Sequence, residues 1–284
     1  MKRLKRFLKN FWFALSRPEM LILPGHLAFF FLLSVVPILT LISYLAASLH
    51  LSMDFIMEFF NKSFGESISN ILMPIVNVNN ISFGFFITLI VGYLTASNGA
   101  DSIITTSNMI YGIPDKGFIY RKIKSIIMTL FIVILFIFIL VVPLFGEKII
   151  ELLEFVNTND NVTNDITFVI NLLRGPLSWL IIFIIIKLLY TMAPDKPIPS
   201  RNVNYGAIFT SLGWVIITTI YSFYINNYAN YSVIYGGLAN LVILLLWFYL
   251  LAYIFVVGLA LNYREESNKL SETTKIKVLK AEEK

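Results

Sequence analysis

From Asn202 to Tyr263 the chain carries no Asp, Glu, Lys or Arg. A run like this cannot build a water-facing surface, because an ordinary soluble chain is roughly 25% charged and spreads those charges along its length. At about 20 apolar residues per crossing of the hydrocarbon core, the run is long enough for two transmembrane helices. The cluster Asn226, Asn227, Asn230 and Tyr231 divides it, which predicts one helix over 205–225 and a second over 234–261. Further charge-poor runs predict spans over 27–49, from 81 to about 102, over 125–146 and over 170–192, the last interrupted by Arg174, Gly175, Pro176 and Lys187. The expected fold class is all-α: a polytopic membrane protein with six transmembrane helices. Charged residues make up only 14% of the whole chain and apolar residues 57%, which excludes a soluble enzyme, a disordered linker and a disulfide-stapled scaffold. With Cys absent and His limited to His26 and His50, thiolate chemistry and multi-histidine metal sites are excluded as well. No cofactor is expected.

Orientation follows from the basic residues. Counting Lys187 with the 4–5 connection, all but Lys62, Lys148 and Arg174 of the 22 Lys and Arg fall in the N-terminal segment, the 2–3 and 4–5 connections and the tail. Both termini are therefore expected in the cytoplasm of a multi-pass protein of the bacterial plasma membrane, with two long loops outside. Residues 1–20 form a basic amphipathic helix in this reading. Leu4, Phe7, Leu8, Phe11, Trp12 and Leu15 recur at helical spacing opposite Lys and Arg, a pattern suited to lying in an anionic interface. Residues 21–263 form the membrane domain and 264–284 a charged tail, either a solvated helix or disordered. Two further amphipathic patches, around Phe55–Phe60 and Ile149–Val156, are expected on the outer surface.

Soluble-enzyme signatures are missing: there is no phosphate-binding loop, HExxH or GxSxG, so the chain is not expected to be an enzyme. Chemistry must be sought in polar groups at membrane depth, which are costly there and face a cavity or a partner. In the second span Ser97, Asp101, Thr105 and Asn108 share one helical face by their spacing. Asp101 is either a solvated helix end paired with a loop base such as Arg121, or a cavity-lining acid whose best intramembrane partner is Lys187. Lys187 in turn either meets that acid or snorkels to the headgroups. Ser34 lies in the first span, where Pro37 should kink the helix and free a carbonyl. Asn240 follows Gly236 and Gly237 by about a turn, where small residues let helices approach and the amide bonds across. These eight residues are the candidate substrate-binding set.

Three stretches carry a family resemblance. Leu27-Ala-Phe-Phe-Phe-Leu-Leu-Ser34-Val-Val-Pro37 is the first. Ser97-Asn-Gly-Ala-Asp101 continuing to Asn108-Met-Ile-Tyr111 is the second. The third runs from Tyr205-Gly206-Ala207 through Gly213-Trp214 and Tyr235-Gly236 to Leu246-Trp247-Phe248-Tyr249 and Gly258-Leu-Ala-Leu-Asn262. Together they resemble the YihY/BrkB family of bacterial inner-membrane proteins across most of residues 20–263. One departure is Ala260, where the family commonly carries an acid. The resemblance implies six transmembrane helices. An old family label, ribonuclease BN, is at odds with the residues: metal-dependent RNA hydrolysis needs a His/Asp cluster, and no basic soluble domain is present to dock RNA. No nucleic-acid partner is expected. Membrane lipids are, as neighbours and in the form of a lipid-like substrate. Two functions follow: transport or flipping of a lipid or other amphiphile, and a non-transporting scaffold for envelope-biogenesis partners.

Overall fold

The computed structural model describes residues 2–34, 83–134, 179–228 and 235–282, with Asn61, Pro176 and Tyr231 as single positions. Every regular element among the described residues is helical, without a strand. In chain order these are α1 (Lys2–Leu15), α2 (Leu23–Ser34), α3 (Phe83–Tyr111), α4 (118–134), α5 (Trp179–Met192), α6 (Asn204–Asn227) and α7 (Ala239–Glu282). Short 3-10 turns precede α2, α6 and α7. Two stretches, Ser200–Ile225 and Ala239–Arg264, are long and apolar enough to cross a membrane. Pro37 and both outer amphipathic patches lie outside the described residues.

The last helix forms the core. Leu259, Ala260, Leu261 and Asn262 are consecutive and all buried, so neighbours surround α7 on every side at that level. A helix apolar all round is one that sits inside a bundle. It packs along α6 and also touches α1 and α3. Phe31 meets Phe248, Tyr111 meets Tyr263 edge-on, and Tyr190 and Trp214 both lean on Phe255. The opposite surface of α6 is bare. Ile208, Leu212, Ile216, Ile220 and Phe223 recur along it, each at least 43% exposed. An uncovered apolar stripe of that length is what a lipid-facing helix presents.

The α6–α7 crossing explains most of the third sequence block. A Cβ on Gly206 would overlap the backbone carbonyl of Gly258 and the Asn262 amide, and the Gly206 N–H donates to Asn262 Oδ1 at 2.7 Å. Below this contact Tyr190 Oη donates to the Phe255 carbonyl (2.8 Å) and accepts a second hydrogen bond from Thr210 Oγ1 (2.7 Å). Trp214 Nε1 donates to the Leu251 carbonyl, Trp247 Nε1 to Thr218 Oγ1 and Tyr221 Oη to the Ile243 carbonyl. Small residues where backbones touch, with side-chain donors reaching the neighbouring helix, are the usual means of joining helices where lipid supplies no hydrophobic drive.

The structure corrects four boundaries or faces. First, α3 runs nine residues past Ser102, to Tyr111. It stops there because Gly112 takes φ 63° and closes a Schellman motif: Ile113 N–H bonds to the Asn108 carbonyl and Gly112 N–H to that of Met109, with Pro114 next in the chain. Second, α4 begins at 118 rather than 125, so Arg121, Lys122 and Lys124 are helical residues and not loop charges. Third, α7 begins at Ala239. Gly236 has φ +53° and nothing within 4 Å of an added Cβ, so it serves the entry turn instead of helix approach, and Asn240 is exposed on α7. Fourth, the apolar residues at the C-terminal end of α1 divide between core and surface. Ala14 is buried and Phe11 and Leu15 pack on the core, while Trp12 is 73% exposed; Phe11 meets Phe209 of α6 at 5.8 Å. The last helix also continues unbroken through the tail to Glu282.

Candidate functional site

The polar face of α3 and the first turns of α4 build the site. The two helices run antiparallel through a tight connection, in which the Gly117 N–H donates to Asp115 Oδ1 and Gly117 takes φ +98°. Tyr93 Oη reaches the Ile126 carbonyl at 2.6 Å, which brings the bases at the start of α4 level with the middle of α3. Each base then takes a different partner.

Arg121 Nε donates to Asp101 Oδ1 at 2.8 Å, and its Nη1 bonds Asp115. Lys122 Nζ donates to Ser97 Oγ (2.8 Å), Asn98 Oδ1 (2.8 Å) and the Leu94 carbonyl (3.3 Å). Lys124 Nζ donates to Asp195 Oδ1 at 2.6 Å and to the carbonyls of Ala193 and Pro194. The Asp195 side chain is fully buried, and Asn108 holds it from the other side. Asn108 Nδ2 donates to Asp195 Oδ2 (2.8 Å), and the Asp195 N–H donates to Asn108 Oδ1 (2.9 Å). Burial pushes the Asp195 carboxyl up, but hydrogen bonds from Lys124 and Asn108 and the lysine's charge outweigh it, so its pKa lies below the ordinary carboxylate range.

The candidate residues therefore separate. Ser97, Asp101 and Asn108 share the α3–α4 site, with Thr105 half-buried between the last two. Ser34 is a packing residue. Its Oγ donates within reach of the Phe30 and Ala96 carbonyls, and an added Cβ on Gly99 would lie 2.6 Å from it. Asn240 stands apart on α7. Lys187 does not meet Asp101; its Nζ lies 5.9 Å from the centre of the Phe183 ring. Of the two partners offered for Asp101, the structure gives Arg121 and not Lys187, because α4 and not α5 supplies the bases that reach the polar face of α3. Lys122, Lys124, Asn98 and Asp195 join the site although spacing along the span did not single them out. Three bases within four residues at the head of a span were the available signal.

A double-mutant cycle separates these partners. Asp101→Asn with Arg121→Met is expected to show a coupling of about 0.5–1 kcal/mol in thermal unfolding, the range for a partly exposed ion pair. Asp101→Asn with Lys187→Met should be additive. Coupling to Lys187 and none to Arg121 would reject the geometry.

Comparison with known proteins places the chain among relatives. The family model described as virulence factor BrkB matches residues 14–281. YfkH of Bacillus subtilis, named a ribonuclease-like protein, is 33% identical over 247 residues, which is 84% of this chain and 87% of that protein. Shorter matches include UPF0761 membrane proteins of Idiomarina loihiensis (30% identical, 32% of each chain) and Chromobacterium violaceum (34% identical, 29% of this chain and 21% of that protein). No solved structure matches.

Proposed function

The chain belongs to the virulence factor BrkB family, and from that premise we propose that it is a six-helix protein of the bacterial plasma membrane that moves or flips a lipid or other amphiphile, with both termini in the cytoplasm. The observation that carries the reading is the outward stripe of α3. Ile87, Ile90, Val91 and Leu94 are exposed along its first half, and Asn98, Asp101 and Thr105 continue the same stripe in polar form. Apolar, then polar and flanked by bases, is the profile of an amphiphile's tail and head. The uneven distribution of Lys and Arg supports the orientation, and it puts the bases of α4 towards the cytoplasmic leaflet.

The ribonuclease-like name belongs to the Bacillus relative and is not extended to this chain. Among the described residues no group of three or more His, Asp or Glu is placed to hold a metal ion, and activation of water on RNA by that route needs one.

Reconstitution tests the proposal. Vesicles carrying a fluorescent phospholipid in both leaflets are treated with an impermeant quencher, with and without an imposed proton gradient. Protein-containing vesicles are expected to lose the inner-leaflet signal while protein-free vesicles keep it. Protection of the inner leaflet under both conditions would overturn transport and favour the scaffold.

A further inference from the structure

We propose that Lys122 and Asn98 bind the phosphate of an anionic phospholipid headgroup on the outward face of the α3–α4 pair. The inference rests on the amphiphile reading above and names the chemical class that the site selects.

The charges at the head of α4 are unevenly matched. Arg121 faces two carboxylates, those of Asp101 and Asp115, and Lys124 faces that of Asp195. Lys122 faces none. Its ammonium is only half-buried and is held by neutral oxygens of Ser97, Asn98 and Leu94. A cation inside or near lipid without a counter-charge is costly and seeks an anion. The contact to the Leu94 carbonyl, at 3.3 Å, is the longest of the three and the one an anion can displace.

Asn98 supplies the second donor. Its carbonyl oxygen is turned to Lys122, which directs its NH2 group away from the lysine. Among the described residues that group reaches no acceptor, and Asn98 itself is not buried. An ammonium and an amide NH2 side by side, both reachable from outside, form a two-donor cradle for a phosphate oxygen pair. On the orientation proposed above, the cradle lies at the headgroup end of the apolar stripe. Phe118, Ile119 and Tyr120, exposed by 44% or more, precede Lys122 as an interfacial aromatic girdle does. Beyond it, towards the membrane interior, lie the exposed Leu94, Val91 and Ile90 of α3 and Ile127 and Leu130 of α4, apolar surfaces for the acyl chains. Charge complementarity commits the occupant: a headgroup with net negative charge, since a zwitterion brings its own ammonium to a site already cationic.

Binding by the full-length protein in neutral detergent tests this, measured by native mass spectrometry with phosphatidylglycerol, phosphatidylcholine and inorganic phosphate as separate probes. Phosphatidylglycerol is expected to bind selectively, and Lys122→Gln to weaken it about tenfold, the worth of one charge-assisted hydrogen bond. Lys122→Arg should retain selectivity. Asn98→Asp, which places a carboxylate against the lysine, should abolish it without removing any helix contact of Lys122. Equal binding of phosphatidylcholine, unchanged phosphatidylglycerol binding in both Lys122→Gln and Asn98→Asp, or equal occupancy by inorganic phosphate would overturn the assignment. Lipid movement by a wild-type protein that binds phosphatidylglycerol and phosphatidylcholine equally would overturn this site and leave transport standing. Selective binding without any lipid movement supports this site and removes the transport reading alone.

Discussion

Asp195→Ala is expected to unfold or severely destabilise the protein, by about 3–5 kcal/mol, the cost of removing one partner from a buried ion pair. The substitution leaves Lys124 with two carbonyls and no counter-charge, and it strips Asn108 of the Oδ2 acceptor in the reciprocal pair that ties α3 to the connection after α5. Replacing both members, as Asp195→Leu with Lys124→Met, should cost much less than Asp195→Ala alone, because no charge is then left stranded. The thermal-unfolding midpoint in detergent measures both. The pair also sets an acid limit. The Asp195 pKa is depressed in the folded state, so its stabilisation is fully present above the unfolded carboxyl value of about 3.9. It is lost as pH falls through the folded value. Stability should be flat in this contribution from pH 7 to about 5 and fall below about 4. Asp195→Asn should lose that acid limb along with its neutral-pH stability. A double replacement as unstable as Asp195→Ala, or an Asp195→Asn protein with the wild-type acid profile, would show that the pair does not hold this end of the bundle.

Gly206→Ala is the second large effect expected. A methyl group there overlaps the Gly258 backbone carbonyl and the Asn262 amide, and a backbone oxygen cannot rotate away. The helices must separate, which strains the Gly206–Asn262 bond and loosens the contacts of Trp214 and Tyr190 further along. Overpacking costs about 1–3 kcal/mol and more where backbone is involved, against a gain of about 1 kcal/mol from replacing Gly in a helix. Gly25→Ala provides the control, since an added Cβ on Gly25 in α2 meets nothing within 4 Å; it should leave the unfolding midpoint unchanged or slightly raised. A Gly206→Ala protein as stable as Gly25→Ala would mean that α6 and α7 do not cross this closely.

Much of the helix layout was readable along the chain. The end of α5 at Met192 falls on the expected bound, and α6 runs two residues past the expected 225, to Asn227 within the Asn cluster. The polar face of α3 was readable as well, since residues three and four apart on one helix stay neighbours whatever surrounds them. The positive-inside count, by contrast, treated Arg121, Lys122 and Lys124 as interchangeable charges in a loop. A count carries no direction, and so it could not distinguish a base that faces two acids from one held by neutral oxygens. Gly236 and Gly258 show the same gap: both are glycines in apolar sequence, one used for its positive φ and the other for lack of a side chain at a helix crossing.

The sequence by itself determined that the described residues are helical, about where the two long apolar helices run and which polar residues of α3 share a face. These depend on composition and spacing within about 30 residues or fewer, because a helix meets its own backbone hydrogen bonds locally. Only the tertiary structure decided that Asp101 takes Arg121 and not Lys187, that Asp195 is buried against Lys124 and Asn108, and that Gly206 lies on Gly258. A helix apolar on every side carries no stripe to say how it is rotated. Its facing is set by close packing and a few side-chain hydrogen bonds to neighbouring helices. Those contacts join residues far apart in the chain, and their geometry exists only once the bundle has formed.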